Sequence, residues 1–272
     1  MFCKELNKDF ADKKEMFAAL KERKEELISL KKSAIKEKRS IVAMIKPEFP
    51  EKAEQQPEPL KLGDTIKVAM NTCNYIDYDM DLIVDGAWTK TAQEQSGKTY
   101  HVINHELKLG SIVAYPKDVS ISVERIDWSR LGKDYSGDTE VLVFESKMTE
   151  KTHRDAFMAY RDGEAIEHSI RLGYVKIELA MNDENEKEEF AVWQKYYPMV
   201  ANKEVADENG YMWVVKECRI YKEGSTVLFG ANDSTPRLKD EPLEIGTQQD
   251  NDPEQSSQKE LYEFLINGLK KI

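Results

Sequence analysis

From Ile166 to about Met181 apolar and polar positions alternate with a period of two, the mark of a strand with one buried face. Ile166, His168, Ile170 and Leu172 fall on one face, Ser169 and Arg171 on the other. A short helical pattern precedes this strand: Thr152-x-x-Asp155 as a start, Phe157 and Tyr160 on one side, and Gly163 as the stop. Alternating or β-rich runs predict further strands at Thr65–Thr72, Val119–Ile126, Val141–Met148 and Tyr211–Tyr221, with a separate short strand in "KEGSTVLFGAND". Gly86-Ala87-Trp88 opens a short helical stretch that should bury Trp88. Residues 182–209 read as an acidic insertion whose helix carries Phe190, Trp193 and Tyr197 at i, i+3 and i+7.

The ends of the chain follow a different pattern. Residues 1–46 are helical in composition, with Leu20, Leu27, Ala34 and Ile41 recurring at intervals of seven. Phe10 and Phe17 begin a second seam, which fails where Lys24, Lys31 and Lys38 continue the column. This half-heptad pattern predicts an amphipathic helix that pairs weakly with a partner, or lies on its own domain. A linker over residues 47–61 follows, with four prolines in "PEFPEKAEQQPEP" that deny it helix and ladder hydrogen bonds. A folded body spans residues 62–237. After it come a polar linker at 238–256 and a capped amphipathic helix at 257–272, with Ser257-x-x-Glu260 before Leu261, Phe264, Leu265 and Leu269.

Charge sharpens this division. Of the net −11, residues 1–46 carry +5 and the remainder −16, a basic arm on an acidic body. The acidic balance argues against nucleic acid as the principal ligand. Cys3, Cys73 and Cys218 are odd in number and far apart, so reduced thiols and an intracellular setting are expected. No apolar run reaches membrane-spanning length.

Candidate chemistry is sparse. Asp77, Asp79, Asp81 and Asp85 precede Gly86, but the loop lacks the glycine and terminal glutamate of an EF-hand, so no metal is expected. His101 and His105 lie four apart in a segment that favours extended chain and lacks the H-E-x-x-H glutamate, so a zinc pair is not expected either. A histidine at a strand end can instead serve as a general base, and a serine beside an arginine on a polar strand face as a nucleophile.

Four segments taken in order carry a resemblance: "NYIDYDMDLIVDGAW", "INHELKLGSIVA" with a glycine five residues after its histidine, "YRDGEAIEHSIRLGYVKIE", and "IYKEGSTVLFGANDSTP". Over residues 66–237 the chain resembles the prohead (capsid-maturation) serine proteases of tailed phages, which are related to the herpesvirus assemblins. The resemblance implies an α+β fold, a compact and mostly antiparallel β-barrel with surrounding helices, and the many alternating strands agree with it. It implies a serine endopeptidase that uses no cofactor and cleaves scaffold or major capsid protein segments, and itself within the two linkers. Such an enzyme would act as a homodimer or higher assembly inside the procapsid, in the host cytoplasm.

Residue by residue, Ser169 matches the nucleophile and His105 the general base, and Glu223 stands at the acidic position of the closing segment. Glu217 is the rival third member. Arg171 shares the face of Ser169 and could support the oxyanion, directly or through water. The assemblins place a second histidine after the serine; this chain has none beyond His168, so an acid, or no third residue, must serve. His101, His153 and His168 are expected to be structural. The alternative is an inactive scaffold or assembly protein with a protease-like body, and the distinguishing feature is whether Ser169 and His105 come within hydrogen-bond reach.

Overall fold

The computed structural model describes residues 2–33 and 59–238; most of the first linker, the second linker and the final helix lie outside the described residues. The chain opens with a small antiparallel hairpin, β1 (Phe2–Cys3) and β2 (Lys8–Asp9), then α1 (Lys13–Glu22) and α2 (Lys24–Ser33). The body follows as β3 (Thr65–Thr72), β4 (Asp81–Ile83), α3 (Thr89–Gln95), β5 (Tyr100–Ile103), β6 (Ile112–Ala114), β7 (Val119–Asp127) and β8 (Asp138–Lys147). It continues through α4 (Arg154–Asp162), β9 (Glu167–Met181), α5 (Lys187–Tyr196), α6 (Lys203–Asn209), β10 (Tyr211–Val227) and β11 (Arg237–Leu238).

The expected α+β class is observed, with mostly antiparallel pairing. Three sheets form, and none closes into a barrel among the described residues. Strand β10 is the spine of the larger sheet. It pairs antiparallel with β9 along one edge and parallel with β4 and β5 along the other, and β6 extends β5. The second body sheet runs β11-β3-β8-β7, all antiparallel. The two sheets meet face to face at Gly224, where a Cβ would stand 2.8 Å from the Phe144 ring and 2.9 Å from the Met70 sulfur. Only a glycine lets β10 approach that closely.

Local chemistry explains the elements. Asp12 caps α1 by accepting from the Glu15 amide at 2.9 Å, and Gly163 ends α4 at φ 69°. The cap of α4 is His153, which accepts from the Ala156 amide, whereas Thr152 accepts from the Thr149 amide one turn earlier. Trp88 is fully buried just before α3, with its indole N–H on Asn71 Oδ1 at 3.0 Å. The strand expected at Tyr211–Tyr221 and the separate short strand expected in "KEGSTVLFGAND" are instead a single bent strand, β10. Lys222 adopts φ 72° and the register against β9 shifts between Ile220 and Gly224, so a bulge stands where the sequence suggested a break.

The N-terminal segment is not one long helix and does not stand apart. Met16, Phe17, Leu20 and Leu27 are buried in the same core as Trp88, Trp213 and Leu172. Two of the lysines that interrupt its second seam find buried acids on the body: Lys24 lies 2.6 Å from Glu189 and Lys31 lies 2.7 Å from Asp81, while Lys38, Ala34 and Ile41 lie outside the described residues. Among the described residues, Lys4 and Lys21 of the basic arm also pair with acids of the chain's own body, Asp79 and Glu186.

Between the two body sheets lies a buried polar chain that fixes three side chains of the sequence reading. His168 Nδ1 donates to the Thr235 carbonyl at 2.7 Å, so its Nε2 accepts from the Tyr160 hydroxyl at 2.8 Å. Tyr160 bonds Thr226 at 2.7 Å, Thr226 bonds His101 Nε2 at 2.9 Å, and His101 Nδ1 reaches Ser146 on the facing sheet at 2.9 Å. Both imidazoles are structural. Burial pushes His168 down to about 4 and His101 well below its ordinary value. The unfolded chain therefore binds protons that the folded chain refuses. Stability is undiminished by these groups above pH 6.5, and it should fall as pH drops from about 6.5 towards 4, by roughly 3 kcal/mol for His168 alone. Urea unfolding at a series of pH values checks this, and a His168→Gln variant should flatten the slope.

Candidate active site

Strand periodicity and pairing bring the sequence-predicted residues to one face of the β9–β10–β5 ribbon. Ser169 stands directly opposite Ser225 in the antiparallel register, so their side chains share a face. Arg171 shares it by period two on β9, as Glu223 does on β10, where pairing with β5 is regular from Glu223 to Thr226. The opposite face holds His168, Ile170, Gly224 and Thr226 and turns inward to the second sheet.

His105 enters from the end of β5 on a tight turn. Asn104 and His105 both have positive φ, 52° and 57°, and the Glu106 amide donates to the Ile103 carbonyl at 3.0 Å. Two successive left-handed residues closed by that bond make a turn of type I′ form. Asparagine suits the first position; histidine at the second, where glycine is usual, costs on the order of 1 kcal/mol or more. Such a conformation persists only where its surroundings enforce it. Here the Asn104 amide donates to the Thr226 carbonyl at 3.0 Å and the His105 amide to Ser225 Oγ at 2.8 Å.

The turn aims the imidazole at Glu223. His105 Nδ1 lies 2.8 Å from Glu223 Oε1, with the carboxylate fully buried and the imidazole 8 % exposed. Arg171 closes the group: its Nε is 3.0 Å from Glu223 Oε1, and Nη2 donates to the His105 carbonyl at 2.8 Å. A buried carboxylate requires a compensating cation, and the guanidinium supplies it. Glu217 is elsewhere, earlier on β10, with Lys176 at 2.5 Å and Lys90 at 3.7 Å.

Several buried polar atoms of the described residues are left without a hydrogen-bond partner, Glu223 Oε2 among them, and two of these bear on the chemistry. Ser169 Oγ and His105 Nε2 are both buried, and neither bonds another group or the other. Ser169 Oγ and His105 Nε2 are the two atoms that a nucleophile–base–acid series would join, and they are not bonded to each other in this structure. In ligand-free sites catalytic hydrogen bonds are commonly long and tighten when substrate binds.

Sequence reasoning missed Ser225 and the turn itself. Both had signals: the serine two residues after Glu223, and asparagine before the histidine in "INHE". The aspartate-rich segment is bound up internally. Asp77 Oδ1 accepts from the amides of Asp79 at 2.8 Å and Asp81 at 3.1 Å, while Lys4 and Lys31 pair with Asp79 and Asp81. Two cavities among the described residues, of about 220 Å³ beside Tyr78 and Asp233 and about 500 Å³ beside Trp128 and Tyr135, are lined by none of the candidate catalytic residues. No helix among the described residues is long and apolar enough to cross a membrane. Compared with family models, with curated proteins and with solved structures, the chain gives no match.

Proposed function

We propose that this protein is a serine endopeptidase of the prohead-maturation type, with Ser169 as nucleophile, His105 as general base and Glu223 as the acid that orients it. The observation that carries the reading is the 2.8 Å bond from His105 Nδ1 to the buried Glu223, on the same strand face as an unpartnered Ser169 hydroxyl. In this mechanism Glu223 accepts from Nδ1–H and so leaves Nε2 as the base. Nε2 takes the Ser169 proton as Oγ attacks the scissile carbonyl, and later returns it to the leaving amine. Exposed Leu107 and Leu109 follow His105 and exposed Leu228 and Phe229 follow β10, which supports a peptide-binding surface at this end of the sheet.

The substrates in this reading are scaffold and capsid-protein segments inside the immature shell, together with the protein's own linkers. The family's compact barrel belongs to the same proposal, with the two facing sheets as its walls. A second reading, an assembly protein with an inactive protease-like body, is favoured by one observation, the unmade Ser169–His105 bond.

Intact mass followed over time for wild type and Ser169→Ala, alone and with capsid protein, separates the two. Wild type should lose fragments cut within 47–60 or 239–256 while the variant stays whole. Equal cutting of both would remove Ser169 from the mechanism, and no cutting of either, even with the capsid protein, would favour the assembly protein.

A further inference from the structure

The His105 backbone is bonded at both ends by side chains that the triad does not include. Ser225 Oγ accepts from its amide, and Arg171 Nη2 donates to its carbonyl while Arg171 Nε lies against Glu223. We propose that Arg171 and Ser225 are positioning residues, which hold the left-handed His105 turn and its carboxylate partner so that Nε2 is presented to Ser169. This rests on the peptidase reading above and extends it to how the site keeps its geometry.

Three features carry the argument. A non-glycine residue at φ 57° relaxes towards the ordinary region unless it is held, and His105 follows a second residue of the same kind. Relaxation would swing the imidazole off Glu223, because the ring moves with its backbone. The holding groups are themselves fixed: Ser225 is fully buried in the central strand and also donates to the Val102 carbonyl at 3.3 Å, and Arg171 projects from the strand that bears the nucleophile. Ser225 is thus at once the cross-strand neighbour of Ser169 and the anchor of the His105 amide. It sets the spacing between nucleophile and base.

The placement of Arg171 separates this role from oxyanion support. The guanidinium contacts the carboxylate that binds Nδ1 and the carbonyl of His105 itself, so its contacts with His105 run through the Nδ1 partner and the backbone. An oxyanion donor must instead face the carbon attacked by Ser169.

The test combines steady-state hydrolysis of a linker-derived peptide with proton spectra of histidine-labelled protein, using Arg171→Ala, Arg171→Lys, Ser225→Ala and Ser169→Ala. Arg171→Ala and Ser225→Ala should each lower kcat about 100-fold with KM nearly unchanged, as displacement of a reacting group does. Free guanidinium ions should restore part of the Arg171→Ala loss, and Arg171→Lys should fall in between. The His105 Nδ1–H resonance, present in wild type and in Ser169→Ala, should be lost or shifted upfield in Arg171→Ala and Ser225→Ala.

An unchanged resonance together with reduced kcat would assign Arg171 to the transition state and overturn the proposal, as would a rise in KM alone. The resonance needs no turnover. If Ser169→Ala proves as active as wild type, the peptidase reading fails while the spectra still decide whether these residues position His105. Ser225→Ala, which removes a single hydroxyl, keeps the test intact should Arg171→Ala not fold.

Discussion

Replacing His105 with alanine should reduce peptide hydrolysis about as far as replacing Ser169, on the order of 10⁶-fold in kcat, and replacing both should cost no more than either alone. The reason is the division of labour in the site. The serine hydroxyl is a poor nucleophile until an imidazole takes its proton, and that imidazole has no other task here: its Nδ1 is engaged by Glu223 and its Nε2 by nothing. Losing either partner removes the same step. Glu223→Gln should cost less, roughly 10⁴-fold, because the amide can keep the shape of the side chain while favouring the wrong imidazole tautomer. Rates on one linker-derived peptide for the four variants decide this. Additive losses for His105 and Ser169 would mean that the two do not act as a unit, and the series Ser169–His105–Glu223 would have to be abandoned.

The strand that carries Ser169 was legible because its period holds where the site lies: even positions from His168 to Tyr174 are buried, and the buried face moves to odd positions only beyond Val175 and Lys176. The facing assigned to Ser169 and Arg171 against His168 and Ile170 is the one observed, and the strand ends at Met181 as its pattern indicates. The choice between Glu223 and Glu217 was not legible in the same way. Counting by twos along β10 fails, since its register against β9 shifts at Val215–Glu217, Glu217–Cys218 and Ile220–Gly224. A shift by an odd number of residues exchanges the two faces, whereas the one at Ile220–Gly224 advances four positions on β10 against two on β9 and keeps the parity. The resemblance supplied an answer that periodicity could not, and the geometry places Glu223, not Glu217, against His105. Those irregularities also explain why one strand read as two.

The N-terminal arm shows the converse case, a pattern that marks the buried positions and leaves open whether a partner or the chain's own body covers them. The columns of Leu20–Leu27 and Phe10–Phe17 do mark buried faces. Which surface covers them depends on residues far away in the chain, and no local pattern encodes it. The charge asymmetry held the answer in coarse form. A basic arm and an acidic body in one molecule can neutralise each other, as Lys24 and Lys31 do with Glu189 and Asp81. Lysines at seam positions, which would weaken a coiled coil, are here what fits the arm to its own body.

Phe17→Ala should therefore destabilise the whole protein by about 3–5 kcal/mol, the cost of emptying an aromatic site in a core that cannot collapse around it. The ring packs over Gly210, so closely that a Cβ there would stand 2.9 Å from it, and Gly210 is itself pinned at φ 74° as the end of α6. Neither element can move in to fill the space. At roughly 2–4 °C per kcal/mol for a domain of this size, the melting temperature should drop by about 6–20 °C. Leu30→Ala is the control: Leu30 belongs to α2 of the same arm but is 54 % exposed, and its loss should change stability by no more than about 0.5 kcal/mol. Calorimetry on the two variants separates an arm built into the fold from one held ready for a partner. If Phe17→Ala melted with wild type, the arm would not be part of the cooperative unit, and the pairing of Lys24 and Lys31 with the body would have to be read as a loose contact.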